Sequence, residues 1–198
     1  MVVPPRSSWT QISYFCTGVR NRLRRRLTRS APGCDSDIPT AFLTGREPRK
    51  LRTNYKLDLC LKSGANQILL VCLGNICRSP TAEAALREAL AQVGLDRKVE
   101  VDSAGTGDWH AGQPPDRRMT AAAAAVGLCL EGRARLIRRD DFDTADLILV
   151  MDRSNLQDVL ALAPTQEARE KVRLYRSFDP DAGDDEVPDP YYVGVTGG

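Results

Sequence analysis

Residues 67–198 are predicted to adopt an α/β fold, a small parallel sheet of four strands flanked by helices. Short, wholly apolar runs, of the kind buried on both faces of a sheet, alternate with longer stretches of helical periodicity. That order implies right-handed crossovers and a parallel sheet covered on both sides.

Ile68, Leu69, Leu70 and Val71 form the first such run, which ends at Cys72. After a short Gly-containing loop, a helix is expected from about Ser79 to Val93. Ala82, Leu86, Ala89, Leu90 and Val93 fall on one face, Glu83, Arg87 and Glu88 point elsewhere, and Gly94 stops it. Val99–Ser103 reads as the second strand and Pro115–Val126 as an Ala-rich helix with Gly127 behind it. Leu147–Met151 is the third strand. Ser154–Ala163 is a helix opened by a capping Ser or Asp and closed by Pro164. Val172–Tyr175 is the expected fourth strand. Folds of this class bind ligands beyond the carboxyl ends of their strands, where Cys72 stands.

The chain has 198 residues, 42% of them hydrophobic, enough for one core with an appendage. Residues 1–66 carry 13 of the 28 Lys and Arg but only 4 of the 26 Asp and Glu. A basic extension therefore precedes a mildly acidic domain at 67–198. No acidic residue occurs from Met1 to Cys34, while Arg20, Arg22, Arg24, Arg25, Arg26 and Arg29 crowd together. That composition suits a plastid or mitochondrial transit peptide, a disordered basic tail, or translation from an upstream start. The charge run lacks interleaved aromatics, so no nucleic-acid partner is expected. No apolar run is long enough to span a bilayer, and no membrane partner is expected. The six cysteines form neither a paired framework nor two Cys-x-x-Cys clusters, which argues against a secreted disulfide scaffold and structural zinc. A reducing, cytoplasmic location is the expectation.

The chemistry concentrates in Cys72-Leu73-Gly74-Asn75-Ile76-Cys77-Arg78-Ser79-Pro80, between the first strand and the first helix. Five residues between Cys72 and Arg78 allow one turn of chain around a tetrahedral anion. The amides of Leu73, Gly74, Asn75, Ile76 and Cys77 can then point inward, reinforced by the helix N-terminus. Gly74 and Asn75 tolerate the left-handed backbone that such a ring requires. Arg78 offers a planar two-pronged contact to two phosphate oxygens. The Ser79 hydroxyl is placed to donate to the Cys72 sulfur, and Pro80 suits a first helical turn. Amides, helix terminus and guanidinium together favour the thiolate, the nucleophilic form. Attack on phosphorus gives a cysteinyl-phosphate, and this phosphate-binding loop stabilises the equatorial oxygens. No metal or other cofactor is needed for that step.

This loop resembles the signature of the low-molecular-weight protein tyrosine phosphatases. The likeness runs from about Gln67 to Tyr192, through Asp102-Ser103-Ala104-Gly105, Asp108-Trp109, Pro114-Pro115-Asp116, Arg133-Ala134-Arg135, Met151-Asp152-Arg153-Ser154-Asn155-Leu156 and Pro188-Asp189-Pro190-Tyr191-Tyr192. The resemblance implies a redox-sensitive, cysteine-dependent phosphatase acting on phosphotyrosine proteins and small aryl phosphates, with Cys72, Arg78 and Asp189 catalytic. Asp189 is then the acid that protonates the leaving oxygen and afterwards the base that activates water. By the same likeness Asn75 holds the loop through neighbours such as Ser103, and Trp109 forms an aromatic wall of the cleft. Tyr191 and Tyr192 line that cleft, while Asp152 and Asn155 support the site. Cys77 is expected to form a reversible disulfide with Cys72 under peroxide, or else to be a small buried side chain.

The family continues past Tyr192 into a long C-terminal helix, whereas this sequence runs on only to Gly198, so one sheet face is expected to be bare. Gly132 stands where some relatives carry His, and His110 reads as a loop residue. Arsenate reductases share the loop but relay electrons through further downstream cysteines, of which this chain has only Cys129. Phosphoarginine phosphatases resemble it with Thr in place of Ile76, and the bulkier Ile favours an aryl ester. A non-catalytic phosphate-binding module is the alternative of another class.

Overall fold

The computed structural model describes residues 66–179 and 184–193, apart from the side chains of 192 and 193. The basic extension before Asn66, and the residues after Val193 that bear on a bare sheet face, lie outside them.

Four strands form one parallel sheet: β1 (Gln67–Cys72), β2 (Glu100–Gly105), β3 (Leu147–Val150) and β4 (Val172–Leu174), in spatial order β2-β1-β3-β4. β1 is central because its residues are apolar on both faces. Ile68, Leu70 and Cys72 pack into one buried cluster with Leu147 and Leu149, and Leu69 and Val71 pack into the opposite one with Ile148 and Val150. Full burial of one such aliphatic side chain contributes about 1.5–3 kcal/mol, so β1 fixes the register of its neighbours. Cys72 pairs with Gly105 on one side, while Val71 pairs with Val150 on the other. The chain leaves β1 toward β2 on one side and returns with β3 on the other. Cys72 thus stands at the point where the strand order reverses.

The helices are α1 (Arg78–Gln92), α2 (Arg117–Ala125), α3 (Asp141–Thr144), α4 (Arg153–Leu162), α5 (Gln166–Glu170) and α6 (Pro190–Val193), with a 3-10 turn at Tyr175–Phe178. Helix α1 begins at Arg78, one residue before the sequence expectation. Its apolar face is Ala82, Leu86 and Leu90, whereas Ala89 is only half-buried and Val93 is 66% exposed because it lies beyond the last turn. Ala85 packs on a third cluster with Ile76, Cys77, Met119 and Ala123, so α1 is covered on two sides.

Strand β2 runs to Gly105 rather than stopping at Ser103, because parallel pairing continues to the end of β1. Helix α2 starts later than Pro115, since Asp116 caps it by accepting from the amides of Arg118 at 2.9 Å and Met119 at 3.2 Å. Asp152 caps α4 through the Asn155 amide at 2.7 Å. Tyr175 leaves β4 for the 3-10 turn. Helices α3 and α5 were not expected: four and five residues are too few to display a helical period. No helix among the described residues is long and apolar enough to cross a membrane.

Candidate active site

The loop after β1 curls over the N-terminus of α1. Asn75 is the one non-glycine described residue with a left-handed backbone, φ 53°, as the sequence predicts, whereas Gly74, named with it, does not adopt one. Its amide N–H donates to the Cys72 sulfur at 3.3 Å, and the sulfur lies 3.1 Å from Ser79 Oγ. Both Cys72 and Ser79 are buried. Helix α1 has no side-chain cap, so its N-terminus meets the loop without one, and the Thr81 amide turns back to the Cys77 carbonyl at 3.3 Å.

Asn75 is the keystone of that loop. Its Nδ2 donates to Ser79 Oγ and Ser103 Oγ, both at 2.9 Å, and its Oδ1 accepts from the Arg135 amide at 2.9 Å. The Ser103 link matches the expectation. Gly105 sets how closely β2 approaches: a Cβ there would stand 2.6 Å from the Leu73 carbonyl oxygen and 3.1 Å from the Asn75 nitrogen. The next residues extend the contact, with Thr106 N donating to Cys72 O at 2.9 Å and Gly107 N to Leu73 O at 2.8 Å.

Arg78 is buried and bridges three elements. Nη1 donates to Asp152 Oδ2 at 2.5 Å and to the Val187 carbonyl at 3.1 Å, while Nη2 donates to Asp189 Oδ2 at 2.7 Å. Asp152 sits just past β3, and the Asn155 amide nitrogen, oriented to donate, lies 3.1 Å from its Oδ2. Asp189 Oδ1 accepts the Tyr191 amide at 3.0 Å. The sequence-predicted Arg78, Asp152, Asn155 and Asp189 therefore meet, although 111 residues separate the first from the last.

Two aromatic rings follow Gly107, whose amide donates to the Leu73 carbonyl. Trp109 is 68% exposed and its ring lies against Gly107, where a Cβ would fall 1.8 Å from Cζ3. His110 follows: its Cδ2 would be 3.0 Å from a Cβ on Gly74, and its ring is edge-on to Tyr191 with centroids 6.0 Å apart. A glycine at 107 draws the large indole onto the backbone and leaves the imidazole facing the loop. The Arg118 guanidinium stands 5.5 Å from the Tyr191 centroid. Ile76 packs beside Gly74, with Cγ1 3.8 Å from the same Cβ position. The Tyr192 side chain lies outside the described residues.

Cys77 is buried, and its thiol is pushed up to about 12 from 9.0 by burial first, then by the charges of Asp116, Cys72 and Asp189. It is a neutral thiol at physiological pH. Two residues with no assigned role join the site: Arg135 supplies the amide under Asn75, and Glu83 faces Ser103. Burial raises the Glu83 carboxyl, against the lowering effects of Ser103 and Arg87. Neither was legible from spacing: Arg135 reaches the loop through the 133–136 segment, and Glu83, on α1, meets Ser103 only once β2 is packed beside that helix. Among the described residues no group of three or more His, Cys, Asp or Glu is arranged to hold a metal ion.

The profile of the family described as low molecular weight phosphotyrosine protein phosphatase matches residues 67–197. The chain belongs to that family. A low molecular weight protein-tyrosine-phosphatase of Streptomyces coelicolor is 46% identical over 133 residues, covering 66% of this chain and 81% of that one. The crystal structure of YfkJ from Bacillus subtilis superposes with a TM-score of 0.63 at 37% identity, covering 66% of this chain and 82% of that one. A protein tyrosine phosphatase from Entamoeba histolytica, solved with Hepes in its active site, gives 0.63 at 37% identity, covering 65% and 81%. This low-molecular-weight phosphatase thus carries its family's four-stranded parallel sheet, as its sequence predicts.

Proposed function

We propose that this phosphatase hydrolyses phosphotyrosine and related aryl phosphate monoesters through a cysteinyl-phosphate on Cys72. What carries the reading is the sulfur itself. It lies at the carboxyl end of the central strand, within 3.3 Å of an inward amide and 3.1 Å of a hydroxyl, at the open N-terminus of α1.

In the first step a sulfur lone pair of Cys72 forms the S–P bond as the P–O bond to the leaving aryl oxygen breaks. The loop amides and Arg78 take the negative charge of the equatorial oxygens. Asp189 gives its proton to the leaving oxygen, so the product departs as a phenol. In the second step the Asp189 carboxylate takes a proton from water, the water oxygen attacks phosphorus, and the S–P bond breaks. Inorganic phosphate leaves and Cys72 is again a thiolate. Once the sulfur is a thiolate, the Ser79 hydroxyl 3.1 Å away turns its proton from the Ala104 carbonyl to the sulfur and stabilises it, and Asn75, donating to Ser79 Oγ, keeps it aimed.

Turnover of p-nitrophenyl phosphate tests this directly. Cys72→Ser is expected to abolish turnover while retaining oxyanion binding. Equal rates in wild type and Cys72→Ser would reject the nucleophile and leave a phosphate-binding module.

A further inference from the structure

We propose that Arg153 is a positioning residue for the acid: it clamps the segment 184–189 so that Asp189 reaches the oxygen leaving phosphorus. The inference rests on the reading of Asp189 as that acid.

The segment bearing Asp189 is not part of the sheet. Its backbone tie to the strands is the Val187 amide, which donates to the Met151 carbonyl at 2.7 Å. Side chains hold the rest: Arg78 binds the Val187 carbonyl and Asp189 itself, and Arg153 holds residues 185 and 186. Its amide donates to Glu186 Oε1 at 2.9 Å, its Nη2 reaches both Asp185 oxygens at 2.8 and 2.9 Å, and its Nε lies 3.6 Å from Glu186 Oε1. Glu186 therefore satisfies a first-turn N–H of α4 as well as a guanidinium, a favourable place for a carboxylate. Arg176 adds a contact to the Glu186 carbonyl at 2.9 Å.

The chain position of Arg153 gives the clamp its purpose. Its neighbour Asp152 accepts from Arg78, which also binds Asp189. Two consecutive residues at the end of β3 thus hold, one the guanidinium of the phosphate loop, the other the loop that brings the acid. Both are referenced to the same strand. Prolines at 188 and 190 stiffen the connection, so a displacement at 185–186 is transmitted to Asp189. The Arg153 side chain is 64% exposed, and exposed ion pairs contribute little to global stability. Its loss is expected to appear in the rate and not in the melting temperature.

A series of aryl phosphates separates positioning from a general effect, because a displaced acid matters most where the leaving oxygen most needs its proton. With phenyl phosphate, Arg153→Ala is expected to lower kcat/KM by about 10-fold or more, since small misplacements carry large rate costs. With 2,4-dinitrophenyl phosphate the loss should be under about 2-fold, because protonation contributes little to that departure. Asp185→Arg added to Arg153→Asp should restore much of the phenyl rate. In wild type, sodium chloride should lower the phenyl-to-dinitrophenyl rate ratio by screening the clamp, and in Arg153→Ala it should not. Equal losses across the series, no loss, or a lowered melting temperature that accounts for the loss would overturn the proposal. Asp189→Asn run alongside is the control: if it leaves the leaving-group dependence unchanged, it is the reading of Asp189 that fails.

Discussion

Arg78 Nη2 and Asp189 Oδ2 lie 2.7 Å apart, joining the first residue of α1 to the loop that precedes α6. The Arg78 side chain is 3% exposed, and its other terminal nitrogen is held by Asp152. One guanidinium therefore positions both halves of the proposed reaction. In the proposed reaction it receives the phosphoryl oxygens, and in the structure it anchors the proposed proton donor.

Arg78→Lys should expose that double duty. A single ammonium cannot span two carboxylates and two phosphate oxygens, so kcat/KM for p-nitrophenyl phosphate should fall at least about 100-fold, the usual cost of an oxyanion donor. Isothermal titration with inorganic phosphate should show weaker binding in the same variant. Wild-type affinity together with wild-type rate would exclude this role.

Asp189→Ala should slow hydrolysis by about 10²- to 10⁴-fold, the range for a positioned acid. Phosphate binding should survive, because Arg78 keeps Asp152 and the Val187 carbonyl as partners. Stopped-flow release of p-nitrophenol separates loss of the acid step from loss of the later hydrolysis. An unchanged first phase would count against protonation of the leaving group.

Asn75 combines a left-handed backbone with three side-chain hydrogen bonds in a buried site. Asn75→Ala leaves buried polar groups unpaired at about 1–3 kcal/mol and adds left-handed strain of order 1–2 kcal/mol. Asn75→Gly removes the same hydrogen bonds without the strain. Urea denaturation should rank wild type above Gly and Gly above Ala. Equal Gly and Ala stabilities would mean that the backbone conformation costs nothing here.

The Cys77 thiol offers a pH dependence with a definite sign. Its raised value, about 12, keeps it protonated at neutral pH, and the attacking thiolate grows as pH rises toward that value. After mild peroxide treatment, the Cys72–Cys77 crosslink measured by mass spectrometry should form faster at pH 9 than at pH 7. The same shift means that the folded state binds the thiol proton more tightly than the unfolded chain. Cys77 therefore costs stability between about pH 9 and 12, and Cys77→Ala should flatten that decline. A crosslink rate independent of pH would show that Cys77 does not resolve the oxidised nucleophile.

The loop was legible because its parts are contiguous. A buried run ending at Cys72, tolerant Gly74 and Asn75, then Arg78-Ser79-Pro80 opening a helix, outlines the loop within nine consecutive residues, although Ser103 and Arg135 complete it through Asn75. The helical face of α1 was legible only in part: Ala82, Leu86 and Leu90 are core, but Val93 falls past the last turn, an end that periodicity does not locate. The packing of the Trp109 indole on Gly107 and the approach of His110 to Gly74 are not legible in the sequence, because such contacts are a matter of shape.

Sequence alone thus determined the chemistry within reach of one loop, and the parallel α/β architecture that apolar runs and helical periods require. The resemblance named Asp152 and Asp189, but only the tertiary structure decided that Arg78 joins them, that Arg135 supports Asn75 and that Arg153 holds residues 185 and 186. Local spacing constrains neighbours in the chain. Partners dozens of residues apart are set by strand order and register, which follow from how the whole core packs.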